Sequence, residues 1–183
     1  MARLVPLDLA NLTREQKVVA DAIVSGPRGG LRGPFDAWLR SPVLADRAQK
    51  VGEYCRFNTS LPKHLSEFAI ILTGKHWKAQ YEFFAHARMA IEAGLPRETV
   101  EAVRTGAVPS LRDDAERAVY AFVTEYFAAN RVSEATYQAA LATLGGERGV
   151  VDLIGVVGYY GLVSMTLNVF DVGLPDGEPL PLA

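Results

Sequence analysis

The sequence predicts an all-α protein, a single-domain helical bundle that assembles into an oligomer. Apolar residues recur at helical spacing nearly throughout the 183 residues, and the period-two alternation typical of hairpin strands is absent. Hydrophobic residues make up 49% of the chain and charged residues 22%, as in an ordinary folded domain. The last long apolar stretch is apolar on all sides, so we expect a partner subunit to supply part of its cover.

Helix boundaries follow from capping residues and helix breakers. Thr13 is the expected N-cap of the first helix, Gln16 completes a capping box, and the helix ends near Ser25. The loop "GPRGGLRGP" lacks the residue order of a phosphate-binding loop, so we expect Arg28 and Arg32 to be solvated. Proline, glycine and asparagine residues divide the remainder into helices over residues 43–57, 62–74, 77–93, 96–106, 111–129, 133–145 and 148–169.

Charge and composition argue against several classes of function. The net charge of −2 gives no indication of a surface for nucleic acid or for an anionic membrane. Residues 153–170 are uncharged, but their glycines and marginal length favour a buried helix over a membrane span. The N-terminal segment lacks a secretory pattern, and a lone Cys55 builds no two-thiol centre, so we expect a cytoplasmic protein.

Glu67 is the first candidate for a functional site. The helix over 62–74 is expected to take Ser60 as its N-cap, and Glu67 then lies inside it, with Ile70 and Ile71 one turn further on. The carboxylate therefore faces apolar surroundings. Such burial is unfavourable unless a partner lies opposite.

We expect that partner on the next helix. A turn near Gly74 would form an αα-hairpin in which Glu82 and His86, four residues apart, lie at the level of Glu67. Two carboxylates and an imidazole can divide acid and base roles near neutral pH. The alternative is a Glu82–His86 pair on the helix surface, with Glu67 bound to a lysine or arginine. Because metal-ligand spacings such as H-x-x-x-H are missing, we expect no metal or other cofactor.

Glu67 followed by "YEFFAHARMAIEAGLP" resembles the carboxymuconolactone decarboxylase and alkylhydroperoxidase D superfamily. The resemblance covers a core over about residues 41–175, with an N-terminal extension over about 1–40 of the same domain, 1–183. In the peroxidase branch the Glu is followed by eleven residues, Cys, two residues, Cys, three residues and His. The matching positions here are Ala79, Glu82 and His86, so both cysteines are missing.

The resemblance implies an acid/base enzyme of the decarboxylase branch, whose E-F-x-x-H arrangement is present as Glu82, Phe83 and His86. It implies a lyase or isomerase that acts on a small lactone or carboxylated ring compound in the catabolism of aromatic compounds, without a cofactor. A thiol peroxidase needs a thiolate and a resolving thiol, and Cys55 has no such partner. Peroxidase-type antioxidant activity and a non-catalytic, ligand-binding oligomer remain alternatives.

The resemblance also implies roles for the catalytic candidates. His86 would be the proton donor, Glu67 its orienting partner or the alternate acid/base, and Glu82 a support for His86 or a contact to a substrate hydroxyl.

Four further residues are candidates for binding the small-molecule substrate. Arg56 would either hold a substrate carboxylate by a bidentate pair or be a solvated arginine at a helix end. Trp77, Tyr81 and Phe83 would form apolar walls. The longer N-terminal segment, Trp77 and Tyr81 differ from the compact decarboxylase itself. The resemblance implies assembly as a homotrimer or homohexamer.

Overall fold

The computed structural model describes residues 2–175 and 177–182, and these residues form helices and loops without a strand. The predicted all-α class is therefore confirmed. A short π-helical turn, Tyr54–Asn58, continues the third helix. The α-helices of the described chain are α1 (Arg14–Ser25), α2 (Phe35–Trp38), α3 (Pro42–Glu53), α4 (Lys63–His76), α5 (Gln80–Glu92), α6 (Arg97–Thr105), α7 (Asp114–Ala129), α8 (Glu134–Thr143) and α9 (Glu147–Val169).

Helix α4 lies at the centre of the bundle, and α5, α7 and α9 pack around it. Its sequence is apolar on almost every side, and residues 65–74 are buried without interruption. Phe68, Ile70 and Ile71 are fully buried. Each such side chain contributes about 1.5–3 kcal/mol through removal from water. The polar side chains within residues 65–74 are therefore buried in a closely packed core.

The N-terminal segment packs onto this bundle. Thr13 caps α1 as predicted: its hydroxyl accepts from Gln16 N at 3.2 Å, and Gln16 Oε1 accepts from Thr13 N at 2.9 Å. The short helix α2 was not predicted, because it spans a single turn directly after a Gly/Pro-rich loop. It buries Phe35 and Trp38, and the Trp38 indole donates to Thr166 Oγ1 of α9 at 3.0 Å.

The prediction that Ser60 caps α4 is wrong. Pro62 occupies the N-cap position, and the backbone N–H and hydroxyl of Ser60 both donate to Asp152 Oδ2, at 2.7 and 2.6 Å. The Tyr54 hydroxyl donates to the other carboxylate oxygen at 2.8 Å. Asp152 is a buried carboxylate on α9 and needs such donors. These bonds fix the π-helical turn and the segment after it to α9.

The predicted turn at Gly74 lies later in the chain. Helix α4 continues through Gly74 to His76, and the left-handed backbone needed for the turn falls on Lys78, with φ of 51°. A glycine within a helix costs only about 1 kcal/mol, which the packing of α4 in the core offsets. The αα-hairpin of α4 and α5 is present nonetheless, and it carries the candidate site.

Helix α9 is long and apolar enough to cross a membrane, but 67% of its most apolar stretch is buried inside the protein. It packs against α3, α4, α5 and α8, as a core helix does. One stripe of α9 remains uncovered, with Val151, Ile154, Met165 and Val169 exposed. The prediction that neighbours surround this helix therefore holds for most of its surface within one subunit.

Candidate active site

The structure brings Glu67, Glu82 and His86 together between α4 and α5. The Glu67 carboxylate lies at the middle of α4, and His86 Nδ1 approaches its Oε2 to 2.6 Å from the second turn of α5. On the other side of the imidazole ring, Glu82 Oε1 lies 3.1 Å from His86 Nε2. All three side chains are buried, with relative exposures of 0%, 3% and 5%. The hairpin register deduced from the sequence therefore predicts their neighbourhood.

Glu67 is ionised in this setting. Burial by itself raises its pKa, but the interaction with His86 and the Lys63 ammonium outweighs burial and brings the pKa to about 2. Lys63 Nζ lies 2.6 Å from Glu67 Oε1 and also donates to the Arg56 carbonyl at 3.1 Å. Glu67 thus pairs with both the imidazole and a lysine, combining the two arrangements that the sequence left open. An ionised carboxylate at Nδ1 fixes the ring and favours a proton on that nitrogen.

Glu82 has the opposite electrostatic setting. Burial raises its pKa, and the negative charge of Glu67 adds to this, while His86, Arg56 and Arg28 act against it. Glu82 is therefore more readily protonated than an ordinary glutamate. Its Oε1 is close to His86 Nε2 but makes no hydrogen bond with good geometry. His86 Nε2 consequently has no hydrogen-bond partner with good geometry among the described residues.

A cavity of about 110 Å³ opens beside this cluster. Its walls come from α5, from α9, from the π-helical turn and from the α1–α2 loop. The lining residues include Arg28, Arg32, Phe35, Arg56, Tyr81, Glu82, Ala85, His86, Met89, Tyr159, Tyr160 and Val163. Glu67 does not border the cavity and lies against Nδ1 of His86.

The cavity is rich in arginine. The prediction that Arg28 is a solvated loop charge is wrong: it is half-buried, it lies over the Phe35 ring at 5.2 Å, and it donates to the Tyr159 hydroxyl at 3.2 Å. Arg32 is exposed and also borders the cavity. Arg56 contacts Met89 Sδ at 3.4 Å. Among the described residues, no carboxylate pairs with any of these three arginines, so the cavity favours a negatively charged ligand.

Gly52 allows Arg28 and Tyr159 to reach the cavity. A Cβ atom at this position of α3 would overlap the Tyr159 ring and hydroxyl as well as the Arg28 guanidinium. Only glycine leaves this space. The placement of one cavity wall therefore depends on a residue that does not itself border the cavity.

Tyr159 and Tyr160 were missed by sequence reasoning, which treated the last helix as uniformly apolar. The Tyr160 ring meets the His86 ring edge-on, with centroids 4.9 Å apart, and its buried hydroxyl has no hydrogen-bond partner among the described residues. Burial raises the pKa of Tyr159 to about 12 and that of Tyr160 well above its usual value. Adjacent tyrosines within an apolar helix were the available signal, because buried hydroxyls need partners.

The predicted substrate-binding residues divide into two groups. Arg56 and Tyr81 border the cavity. Trp77 and Phe83 do not: Trp77 is 36% exposed at the end of α4, where its carbonyl accepts from Asn168 Nδ2 at 2.7 Å, and Phe83 is buried in the core. Phe83 follows Glu82 directly, so the helix rotates its side chain about 100° away from that of Glu82.

Cys55 lies outside the cavity lining and is buried against α9, near Gly155. Burial and the negative charge of Asp152 raise the pKa of its thiol to about 11. A thiol in this state forms little of the thiolate that attacks peroxide. At the positions where the peroxidase branch has its cysteines, Ala79 is buried at the start of α5 and Glu82 borders the cavity.

One group of possible metal ligands lies elsewhere, where His64, Asp113 and Glu116 place their ligand atoms within 4.8 Å of one another. The carboxylate of Glu116 already accepts from the Arg112 backbone at 2.9 Å and from its guanidinium at 2.8 Å. Asp113 caps α7 through the Glu116 N–H at 2.8 Å. Asp113 and Glu116 therefore already take part in the hydrogen bonds at the start of α7.

Three solved structures share this fold. An uncharacterized peroxidase-related protein from Ralstonia eutropha JMP134, described as an alkylhydroperoxidase AhpD core, has a TM-score of 0.77, covering 96% of this chain and 93% of its own at 14% identity. An uncharacterized peroxidase-related protein from Silicibacter sp. TM1040 has a TM-score of 0.76, covering 96% and 92% at 13% identity. A cysteine-to-alanine variant of the debrominase Bmp8, in complex with 2,3,4-tribromopyrrole, has a TM-score of 0.72, covering 99% and 96% at 15% identity.

No protein-family model and no curated protein sequence matches the chain. The structural likeness nevertheless extends over nearly the whole of each chain. The protein therefore has the alkylhydroperoxidase D-like fold, as its sequence predicted.

Proposed function

We propose that the protein is a carboxymuconolactone decarboxylase-like enzyme, an acid/base lyase or isomerase that acts on a small lactone or carboxylated ring compound. One observation carries the proposal: an ionised, fully buried Glu67 bonds to His86 Nδ1 at 2.6 Å, while the ring borders a cavity. A buried carboxylate that orients an imidazole beside a cavity is a common arrangement for general acid/base catalysis.

The geometry suggests how the proton moves. Glu67 accepts a hydrogen bond from the Nδ1–H group of His86 and holds the ring, so Nε2 exchanges a proton with a carbon atom of the substrate. In a lyase reaction the ring is protonated from solvent beforehand and gives this proton to carbon after CO2 leaves. In an isomerase reaction Nε2 removes a proton from one carbon and returns it to another. Lys63 is ionically paired with Glu67 and helps to keep this carboxylate charged.

The cavity also suggests the kind of substrate. Arg56 and Arg28 are placed to bind a carboxylate, with planar groups that match its two oxygens. Tyr81 and Met89 offer apolar surface for a ring. The bromopyrrole complex of the debrominase shows that a protein of this fold can hold a small ring, which supports a ring substrate here.

The proposal is tested with a panel of carboxylated lactones, including carboxymuconolactone, followed by ultraviolet absorbance and by CO2 release. His86→Gln keeps an N–H group for Glu67 but cannot titrate near neutral pH. We expect it to lower kcat by about 10²–10⁴-fold while the protein stays folded. His64→Gln lies on α4 outside the cavity and serves as the matched control, with unchanged kcat. Equal turnover by wild type and His86→Gln would refute the acid/base role.

The same proteins distinguish the alternatives. A thiol peroxidase would consume peroxide in a reaction that Cys55→Ser abolishes, and the raised thiol pKa leads us to expect no such activity. A non-catalytic, ligand-binding oligomer would bind ring compounds without turning them over, and His86→Gln would then leave the only measurable property, affinity, largely intact.

A further inference from the structure

We infer that the Tyr160 hydroxyl and the Glu82 carboxyl form a binding site for an oxyanion, in particular for the enolate oxygen of a carbonyl compound. This assigns a catalytic role to Tyr160 and a donor role to Glu82. It narrows the substrate to compounds in which the reacting carbon is adjacent to a carbonyl group. For its chemical role the inference rests on the proposed function, whereas the binding of an oxyanion can be measured separately.

Two buried polar groups in the cavity lining lack hydrogen-bond partners among the described residues. Tyr160 and Glu82 are each 3% exposed, both border the cavity, and each has a buried oxygen without a hydrogen-bond partner among the described residues. Such groups are rare in folded proteins because each one costs about 1–3 kcal/mol. Two of them in the lining of one cavity indicate the position of a ligand atom.

Tyr160 and Glu82 also both lie next to His86, the proposed acid/base group. The rings of Tyr160 and His86 are 4.9 Å apart, edge to face, and Glu82 Oε1 lies 3.1 Å from His86 Nε2. Helices α5 and α9 thus bring both side chains to the His86 ring, and the Glu82 oxygen to the nitrogen that would exchange a proton with carbon. An oxyanion two bonds away from that carbon falls within the same small cavity.

The charges around the cavity favour the binding of an anion. Burial raises the pKa of both groups and so favours their protonated, O–H forms. A carboxylic acid kept neutral by burial can donate a hydrogen bond to a developing oxyanion, and so can a phenol. The guanidinium groups of Arg28 and Arg56 face the same cavity and add positive charge. A donor pair in such an environment favours an anion over a neutral ligand of the same shape.

The reaction step then balances without an oxidant or reductant. In an isomerase reaction His86 Nε2 takes a proton from the carbon next to the carbonyl. The C–H electron pair forms a C=C bond, and the carbonyl π pair moves to oxygen. In a lyase reaction the bond to the carboxylate breaks, CO2 leaves, and its electron pair follows the same path. Tyr160 and Glu82 donate to the resulting enolate oxygen until protonated His86 returns a proton to carbon.

Phenolates test this site without knowledge of the natural substrate, because a phenolate resembles an enolate in shape and charge. Titration of wild type with para-nitrophenol, followed by absorbance, should show that the bound form is the phenolate at a pH where the free compound is mostly neutral. Binding of the neutral phenol, or no binding, would overturn the inference.

Matched variants locate the donors. Tyr160→Phe keeps the ring that packs on His86 and should weaken phenolate binding about ten- to hundredfold, since it removes a hydrogen bond to a charged group. Glu82→Leu should weaken binding similarly, whereas Glu82→Gln keeps an N–H donor and should retain most of the affinity. Tyr126→Phe, on α7 and outside the cavity, is the control with unchanged affinity. Unchanged affinity in a folded Tyr160→Phe would contradict the inference.

The outcomes for site and function are separable. His86→Gln should keep phenolate binding while losing turnover. Phenolate binding that depends on Tyr160 in a protein that turns over no lactone would support the oxyanion site and refute the proposed function. Turnover that depends on His86 but is insensitive to Tyr160→Phe would support the function and refute the oxyanion site.

Discussion

Glu67 and Glu82 show how position alone shifts the pKa values of two identical side chains in opposite directions. Both are buried, but Glu67 contacts a lysine and the Nδ1 side of His86, whereas Glu82 lies on the Nε2 side without a hydrogen-bonded cation. The pKa of the first is lowered to about 2, and that of the second is raised. Separation of carboxyl pKa values by environment is the usual way in which a site divides acid and base roles.

The pH dependence of stability follows from these shifts. The folded-state pKa of Glu67 lies below its ordinary value of 4.5, so its contacts stabilise the protein above about pH 4.5 and are lost as the pH falls toward 2. Glu82 has the opposite sign: its raised pKa opposes folding, with no cost below about pH 4.5 and a growing cost as the pH rises.

We therefore predict opposite effects of two matched variants, measured by urea unfolding across pH. Glu67→Gln should lower the free energy of unfolding at neutral pH by about 3 kcal/mol, and by much less below about pH 3. Glu82→Gln should raise it at neutral pH and change it little below about pH 4. A stabilising Glu67→Gln would show that this carboxyl is not ionised in the folded protein.

Among the elements, the α4–α5 hairpin supplies the acid/base cluster, while the π-helical turn, α9 and the α1–α2 loop supply the arginine and tyrosine walls. Gly52 positions part of these walls, because Tyr159 and Arg28 pack directly on the α3 backbone at this residue. The arginine wall is thus positioned by contact between helices rather than by ion pairs. Its geometry should respond to a single added methyl group.

Gly52→Ala should raise KM for a carboxylated substrate about tenfold, because Arg28 and Tyr159 must move. It should also lower the free energy of unfolding by about 1–3 kcal/mol, as overpacking does. Gly155→Ala on α9 meets only an ordinary contact with Cys55 Sγ at 3.9 Å and serves as the helical control. Steady-state kinetics and denaturant unfolding check both. A KM in Gly52→Ala equal to that of wild type would argue against Arg28 as a substrate ligand.

The elements also show how far sequence reasoning reaches. Helical periodicity and the Thr13 capping box predict the helices, and counting along the hairpin predicts that Glu67 meets His86. These signals are local, or they cross a single turn. The inward placement of Arg28, the Asp152 partner of Ser60 and the contact of Tyr160 with His86 depend on residues about 70 to 130 positions apart. No local pattern encodes such contacts.

At the scale of the whole molecule, the exposed stripe of α9 supports the proposal of a homotrimer or homohexamer. Val151, Ile154, Met165 and Val169 lie on one side of a helix whose other sides are buried. A continuous apolar stripe of this kind is typical of an interface. The same helix carries Tyr159 and Tyr160, so the proposed interface and the cavity would share one element.

Val151→Glu should dissociate the oligomer, because a carboxylate in an apolar interface is costly. Light scattering coupled to size-exclusion chromatography measures the mass directly. Val18→Glu on α1 is the matched control, with 65% exposure against 68% for Val151. A wild type that is monomeric, or a Val151→Glu variant of unchanged mass, would contradict assembly through α9.

In the proposed mechanism His86, held by Glu67, transfers a proton to or from carbon. The most direct measurement is turnover in D2O of the best substrate from the lactone panel, with deuterium in the product located by NMR. We expect deuterium on one face of one ring carbon in the wild-type product, and we expect His86→Gln to lose this turnover. Single-faced deuterium incorporation at an undiminished rate in folded His86→Gln would contradict this mechanism.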